Sequence, residues 1–262
     1  MKRLPSLFIS HGSPTFALEP GRLGPALTEL GTTLPTPKAV LVVSPHWREL
    51  AAEVSVTPQP ETVHDFRGFP EEMYTLQYPA AGHPALAQRA VDLLAQAGWS
   101  TKANTEHGMD HGAWVPLMHL YPQAQVPVFQ VVMPTDLDQE SAWRLGEALA
   151  PLADEGVLII GSGSLTHNLS EVRFGSTQEA IYVEAFTDWV GGAAERGDAD
   201  ALRRALSDAP HAMRAHPTHE HFLPLLVAAG AAGTPLPKAR ILHGGIEHRV
   251  LAMDAYLFGD AT

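Results

Sequence analysis

Five short runs of this chain are mainly apolar and continuous rather than alternating: Ser6–Ser10, Ala39–Ser44, Val126–Val132, Val157–Gly161 and Ala239–His243. Each is partly β-branched and bounded by Gly, Pro or Ser, the signature of a strand. An alternating strand needs a core on one face only. A continuous run needs cover on both, so these strands must lie between two layers of other structure. The chain between them supplies that cover as helix-like segments at Arg22–Leu30, Pro84–Ala97, Gln139–Leu152, Gln178–Glu195 and Ala199–Ser207. In "HPALAQRAVDLLAQAG", Pro84 suits a first helical turn and Gly98 the stop. No repeat or low-complexity linker interrupts the order. The expectation is an α/β fold: one three-layer α/β/α domain over residues 1–262, around a mostly parallel or mixed central sheet.

The ends of these runs carry the chemistry. "LFISHGSP" places His11 just past the first strand, "VLVVSPHW" places His46 just past the second, and "GVLIIGSGSLTHN" places His167 after another. Ligands of open α/β sheets bind outside the carboxyl ends of the strands. One histidine so placed is an ordinary loop residue, but three separate strands aimed at one region form a pattern. A further cluster, "HPTHEHFLPL", holds His216, His219, Glu220 and His221. Pro217 and Thr218 read as a helix start, which puts residues 219–221 on its first turn. The zincin spacing fails because position 223 is Leu223. Two Gly- and Pro-bounded loops mix polar and aromatic residues: "TVHDFRGFP" with His64, Asp65 and Arg67, and "GMDHGAWVPL" with Asp110, His111 and Trp114 around a Gly turn. His83, His107, His119, His211, His243 and His248 are read as surface or structural.

Composition narrows the classes. The chain has no cysteine, so thiol catalysis, iron–sulfur clusters and disulfides are excluded, and a metal must rest on His, Asp or Glu. A net charge of −12 argues against a nucleic-acid partner. No apolar stretch is long enough for a membrane span or a signal segment, which makes the cytoplasm the expected location. "GSGSLT" has Thr166 where a dinucleotide loop needs its third Gly, and it lacks the nucleophile elbow of a hydrolase.

Taken in order, "HGSP" at His11, "VVSPHW" at His46, "HDFRGFP" at His64, "YPAAGHPALA", "DHGAWVPL" at His111, "LTHNL" at His167 and "PTHEHFLPLL" at His221 resemble the class III extradiol ring-cleavage dioxygenases, in particular the LigB-like 4,5-DOPA dioxygenase extradiol branch. The likeness runs over nearly the whole chain. It implies a non-haem metal held by His11, His46 and His221, with His167 as acid/base. Because the superfamily also uses a Glu as third ligand, Glu220 stands beside His221 as the alternative. It implies a catechol substrate and O2, and Fe(II) for activity, since three ligands on one face leave positions for both. Zn(II), which members of the branch have been found to hold, has no redox chemistry. On this reading His111 and His64 assist by hydrogen bonding. Trp47, Phe66 and Trp114 wall the ring, and Arg67 or Arg48 meets a substrate carboxylate.

Two other classes are open to the same residues. One is a zinc-dependent hydrolase on a similar α/β fold, although the acidic ligands of bridged two-metal sites are missing. The other is a non-catalytic zinc module, in which His167 joins His11, His46 and His221 as a fourth ligand and closes a tetrahedral site. The sequence leaves monomer and homo-oligomer both open.

Overall fold

The structure is a computed structural model describing residues 3–176 and 178–260; Thr177 and the two residues at each end of the expected 1–262 domain lie outside the described residues. The strands are β1 (Ser6–Ser10), β2 (Ala39–Val43), β3 (Ala52–Ser55), β4 (Thr101–Asn104), β5 (Val128–Val131), β6 (Val157–Gly163), β7 (Ala239–Leu242), β8 (Ile246–Glu247), β9 (Leu251–Ala252) and β10 (Ala255–Phe258). Eight form one sheet in the order β4-β3-β5-β2-β6-β1-β10-β7, and β8 pairs with β9 apart from it. The centre, β5-β2-β6-β1, is parallel throughout. Antiparallel pairing enters where β3 meets β5 and where β10 joins β1 to β7. The sheet is therefore mixed and mostly parallel at its core.

The two covering layers can be read from β6 alone, because successive residues of a strand face opposite sides. The hydroxyl of Ser162 donates to the Gly112 carbonyl of the helix His111–Leu120. Its neighbours turn the other way. A Cβ on Gly161 would stand 1.9 Å from the Pro224 carbonyl, and one on Gly163 2.3 Å from that of His221. Only glycine lets the segment leading into the helix Leu223–Ala231 lie so close to the strand. Behind that helix sits Gln139–Leu149, again at glycine contact distance through Gly146 and Gly230.

All five expected strands form, with ends shifted by a residue or two. β3, β4, β8, β9 and β10 are not among the expected runs: "TKAN" of β4 is short and polar, as suits the edge of a sheet, whereas the short "AEVS" of β3 is buried one place in from that edge and "AYLF" of β10 is buried between β1 and β7. Four expectations need correction, the first being Ala199–Ser207, which divides at Arg204 into Ala199–Arg203 and Ala205–Asp208. The segment Gln139–Leu152 breaks at Ala150, because Pro151 cannot continue the hydrogen-bonded ladder. The stretch after Asp110 is a helix, not a Gly turn; Gly112 lies in its first turn and Pro116 within it. The helix expected at Pro217–Thr218 starts at Leu223, with Pro224 in its first turn, so His219–His221 form the turn that precedes it.

Candidate metal centre and active site

Parallel pairing brings the ends of β1, β2 and β6 to one edge of the sheet, and three imidazoles gather there. His11 follows β1 directly, its backbone N–H bonded to the Gly163 carbonyl at the end of β6. His46 lies two residues past Ser44. His221 comes from the turn before Leu223. One ring nitrogen from each lies within 4.8 Å of the others. The Nε2 atoms of His11 and His46 are 3.1 Å apart. Ligands cis to one another at roughly 2.0–2.2 Å from a metal stand about 3 Å apart, so this spacing suits a shared ion.

The other ring nitrogens define the protonation. His11 Nδ1 lies 3.0 Å from Ser162 Oγ. That hydroxyl already donates to the Gly112 carbonyl, so it must accept from His11. The proton is then on Nδ1, and Nε2 keeps its lone pair. His221 Nδ1 donates to Glu220 Oε1 at 3.1 Å. His46 Nδ1 faces Asp65 Oδ2 at 3.6 Å. Partners of this kind fix the tautomer of metal-binding imidazoles. All three rings are held neutral, as ligation requires. Burial, then the neighbouring imidazoles, push His11 and His221 well below the ordinary histidine range. His46 is brought down to about 3 by burial and by His111, against the pull of Asp65. The donor set therefore fits a divalent ion that accepts nitrogen ligands. Glu220, the alternative third ligand, instead engages the Nδ1 of His221.

Two more histidines border the same space. His111 opens its helix, and both its backbone N–H and its Nδ1 donate to the Asp65 carboxylate at 2.8 Å. Burial tends to raise the Asp65 pKa, but the bonds from His111 outweigh it and hold the carboxyl below its usual range. The His167 ring lies flat against His221, with centroids 3.5 Å apart. Burial lowers its pKa to about 4, Glu220 opposing. Its side chain has no protein hydrogen bond among the described residues.

A cavity of about 330 Å³ opens on these rings. Its apolar wall is Phe66, Phe69, Leu169, Val172, Phe174 and Leu251. Several residues expected at its surface stand elsewhere. Trp47 turns away from His46 and stacks on His107, with centroids 3.7 Å apart. Trp114 is wholly buried behind Phe66, its indole N–H on the Val63 carbonyl at 2.9 Å. His64 spends Nε2 on the Leu76 carbonyl at 3.0 Å. Arg67 is exposed and outside the lining, and Arg48 donates to the Thr135 carbonyl. These two indoles, His64 and the two cations build or flank the loops, and no wall of the cavity is made of them. Conversely, the "GSGS" context, which fits neither a dinucleotide loop nor a nucleophile elbow, does not disclose Ser162 as the partner of His11. Leu169, Val172 and Phe174 lie in a segment without periodicity. Their one signal was position, just after His167.

Among the described residues no helix is long and apolar enough to cross a membrane. The catalytic LigB subunit of aromatic ring-opening dioxygenase, as a family, matches residues 7–259. The chain is 41% identical over 257 residues to a "4,5-DOPA dioxygenase extradiol" of Beta vulgaris, covering 97% of this chain and 96% of that one. It is 38% identical over 239 residues to the protein of that name in Escherichia coli K12, covering 87% and 85%. A crystal structure of an uncharacterized protein from Escherichia coli K12 superposes with a TM-score of 0.80 at 30% identity, covering 98% of this chain and 100% of that one. This likeness does not favour the hydrolase reading. Sequence, fold and the histidine cluster agree that the chain belongs to the LigB family of metal-dependent, aromatic ring-opening dioxygenases.

Proposed function

We propose that this chain is an extradiol dioxygenase of catechols, one catalytic domain over residues 1–262, in which His11, His46 and His221 hold Fe(II) and His167 is the acid/base. The observation that carries the reading is the commitment of Nδ1 in the cluster: His11 to Ser162, His221 to Glu220, and His46 turned toward Asp65. Their Nε2 atoms are thereby left to converge. Fe(II), unlike Zn(II), supplies the redox chemistry that couples an electron-rich catecholate to O2.

The protein's share is binding, proton handling and exclusion of water. His167 is neutral at pH 7 and has a free ring nitrogen, so it can take a catechol hydroxyl proton and later return it. Its stacking on His221 keeps it beside the metal ligands without making it one. His111, oriented by both bonds to Asp65, presents its remaining nitrogen to the cavity and is placed to hydrogen-bond a substrate oxygen or O2. Phe66 and Phe69 flank the substrate ring and keep water from the reacting atoms.

The test is anaerobic loading with Fe(II), then a catechol, then air. The expected result is oxygen uptake with a yellow ring-opened product, silence with Zn(II), and loss of metal in His11→Ala, His46→Ala and His221→Ala. Full metal occupancy in His221→Ala would move the third ligand to Glu220. A loaded protein that consumes no oxygen with any catechol would end the reading.

A further inference from the structure

The cavity that receives the catechol has two unlike halves. Its floor is imidazole. Its mouth is apolar, and among the described residues no Arg, Lys, Asp or Glu lines it. Besides the histidines, the one described side chain there with a hydrogen-bonding group is Ser13, a neutral hydroxyl that accepts from Thr15 and keeps a single proton to donate.

The charged groups nearest in sequence are turned elsewhere. Arg173, between two mouth residues, lies outside the lining and donates through Nη1 to the Val172 carbonyl at 2.7 Å. Arg214 is paired with Glu171 at 2.7 Å. Asp65 and Glu220 are engaged by the rings of His111 and His221. A substrate carboxylate or ammonium entering the mouth would therefore lose water and meet no partner of opposite charge, which is costly. The net charge of −12 adds repulsion for an anion.

The mouth also carries exposed apolar surface. Leu169 is 64% and Phe174 68% exposed, although both border the cavity. Large apolar side chains left in water beside a binding site gain when a ligand covers them, by an amount that grows with the area covered. A charged substituent that swung out into solvent would forgo that gain.

We propose that the catechol taken here bears an uncharged apolar substituent, alkyl or aryl, seated on Leu169, Val172 and Phe174, and that an amino-acid or carboxylate side chain is the poorer fit. The proposal rests on the ring-cleavage reading above and names the substrate class within it. It sets this chain apart from what the names of its relatives suggest.

The experiment is isothermal titration of the Fe(II)-loaded protein without oxygen, using 4-methylcatechol, 4-propylcatechol, L-DOPA and 3,4-dihydroxyphenylacetate. Air is then admitted and oxygen uptake followed in the same samples. Affinity should rise on the order of tenfold from the methyl to the propyl compound, as two more methylenes are covered. L-DOPA and the carboxylate should bind at least about tenfold more weakly than 4-propylcatechol. Phe174→Arg should weaken 4-propylcatechol and strengthen 3,4-dihydroxyphenylacetate. Leu169→Ser, at a second exposed position, should reduce the methyl-to-propyl gain. L-DOPA binding as tightly as 4-propylcatechol, or no gain with chain length, overturns the proposal. Selective binding of the alkyl compounds without oxygen uptake supports the substrate class and overturns ring cleavage. Binding of none of the four overturns both.

Discussion

Replacing Ser162 by alanine removes one hydroxyl that touches no substrate, and the structure gives the size of the effect. Its Oγ accepts from His11 Nδ1 at 3.0 Å and donates to the Gly112 carbonyl. The residue is 0% exposed, so water cannot take its place without rearrangement. Leaving a buried donor or acceptor unpaired costs about 1–3 kcal/mol, and here one of each is orphaned. At about 2–4 °C per kcal/mol for a chain of this size, the metal-free protein should melt several degrees lower. A second effect is separate from the fold. Without Ser162, His11 is free to carry its proton on Nε2, the nitrogen proposed to hold the metal. Loss of such a partner lowers metal affinity about 10–100-fold, roughly 1.4–2.7 kcal/mol. The assay pairs a metal dissociation constant, from competition with a chromogenic chelator, with thermal unfolding of the metal-free protein. Ser162→Ala should move both. An unchanged dissociation constant beside a lowered melting temperature would refute the tautomer argument and reduce Ser162 to a strand-to-helix contact.

His167→Gln should keep its metal and lose turnover by a factor on the order of 10²–10⁴; loss of metal with activity would make His167 a ligand instead. Gly112→Ala puts a Cβ 2.3 Å from Ser44 Oγ, which is itself tied to Asp110 at 2.8 Å. The expected destabilisation is about 1–3 kcal/mol in urea unfolding, and wild-type stability would show that this packing yields freely. His216 is buried and neutral, its pKa lowered from 6.5 to about 4 by burial, against the bond to the Leu165 carbonyl. Its unfolded form binds the proton first, so its contribution is present above pH 6.5 and lost as pH falls toward 4. From pH 7 to pH 5 that loss is about 2 kcal/mol. Denaturant unfolding of His216→Leu should show a shallower acid dependence than the wild type, and equal slopes would discount the effect.

The parts of the fold that could be read in the chain are those where burial leaves a linear trace. The central strands are apolar on both faces, and His11, His46 and His167 stand at their ends, so one sheet edge could be inferred from position. The helix Leu223–Ala231 was harder to place because it is buried all round: "LPLLVAAGA" has no polar face to set a period. Pro116 argued against the helix that carries His111. The walls failed for a geometric reason. Trp47 and Trp114 stand near site histidines in sequence, but sequence adjacency does not say which way a side chain turns. Trp47 was turned to His107, Trp114 to the space behind Phe66. Ser162 was legible only through its partners, which lie far away in the chain.

The three imidazoles that meet at the sheet edge have a consequence for the order of folding. His11 and His221 stand near opposite ends of the chain, and they approach only when β1 and β6 are paired and the segment before Leu223 has closed over Gly163. Contacts between residues so distant form late, after the entropy of closing the long loop has been met. On the proposed ligand set, a metal ion would therefore find no nucleus to template and would capture a sheet already assembled. Its stabilisation falls on the native side of the transition state, so saturating metal should leave the refolding rate constant unchanged and slow unfolding. The bound ion is then a latch on a finished structure, and removing it shortens the lifetime of the native state without blocking the route back to it.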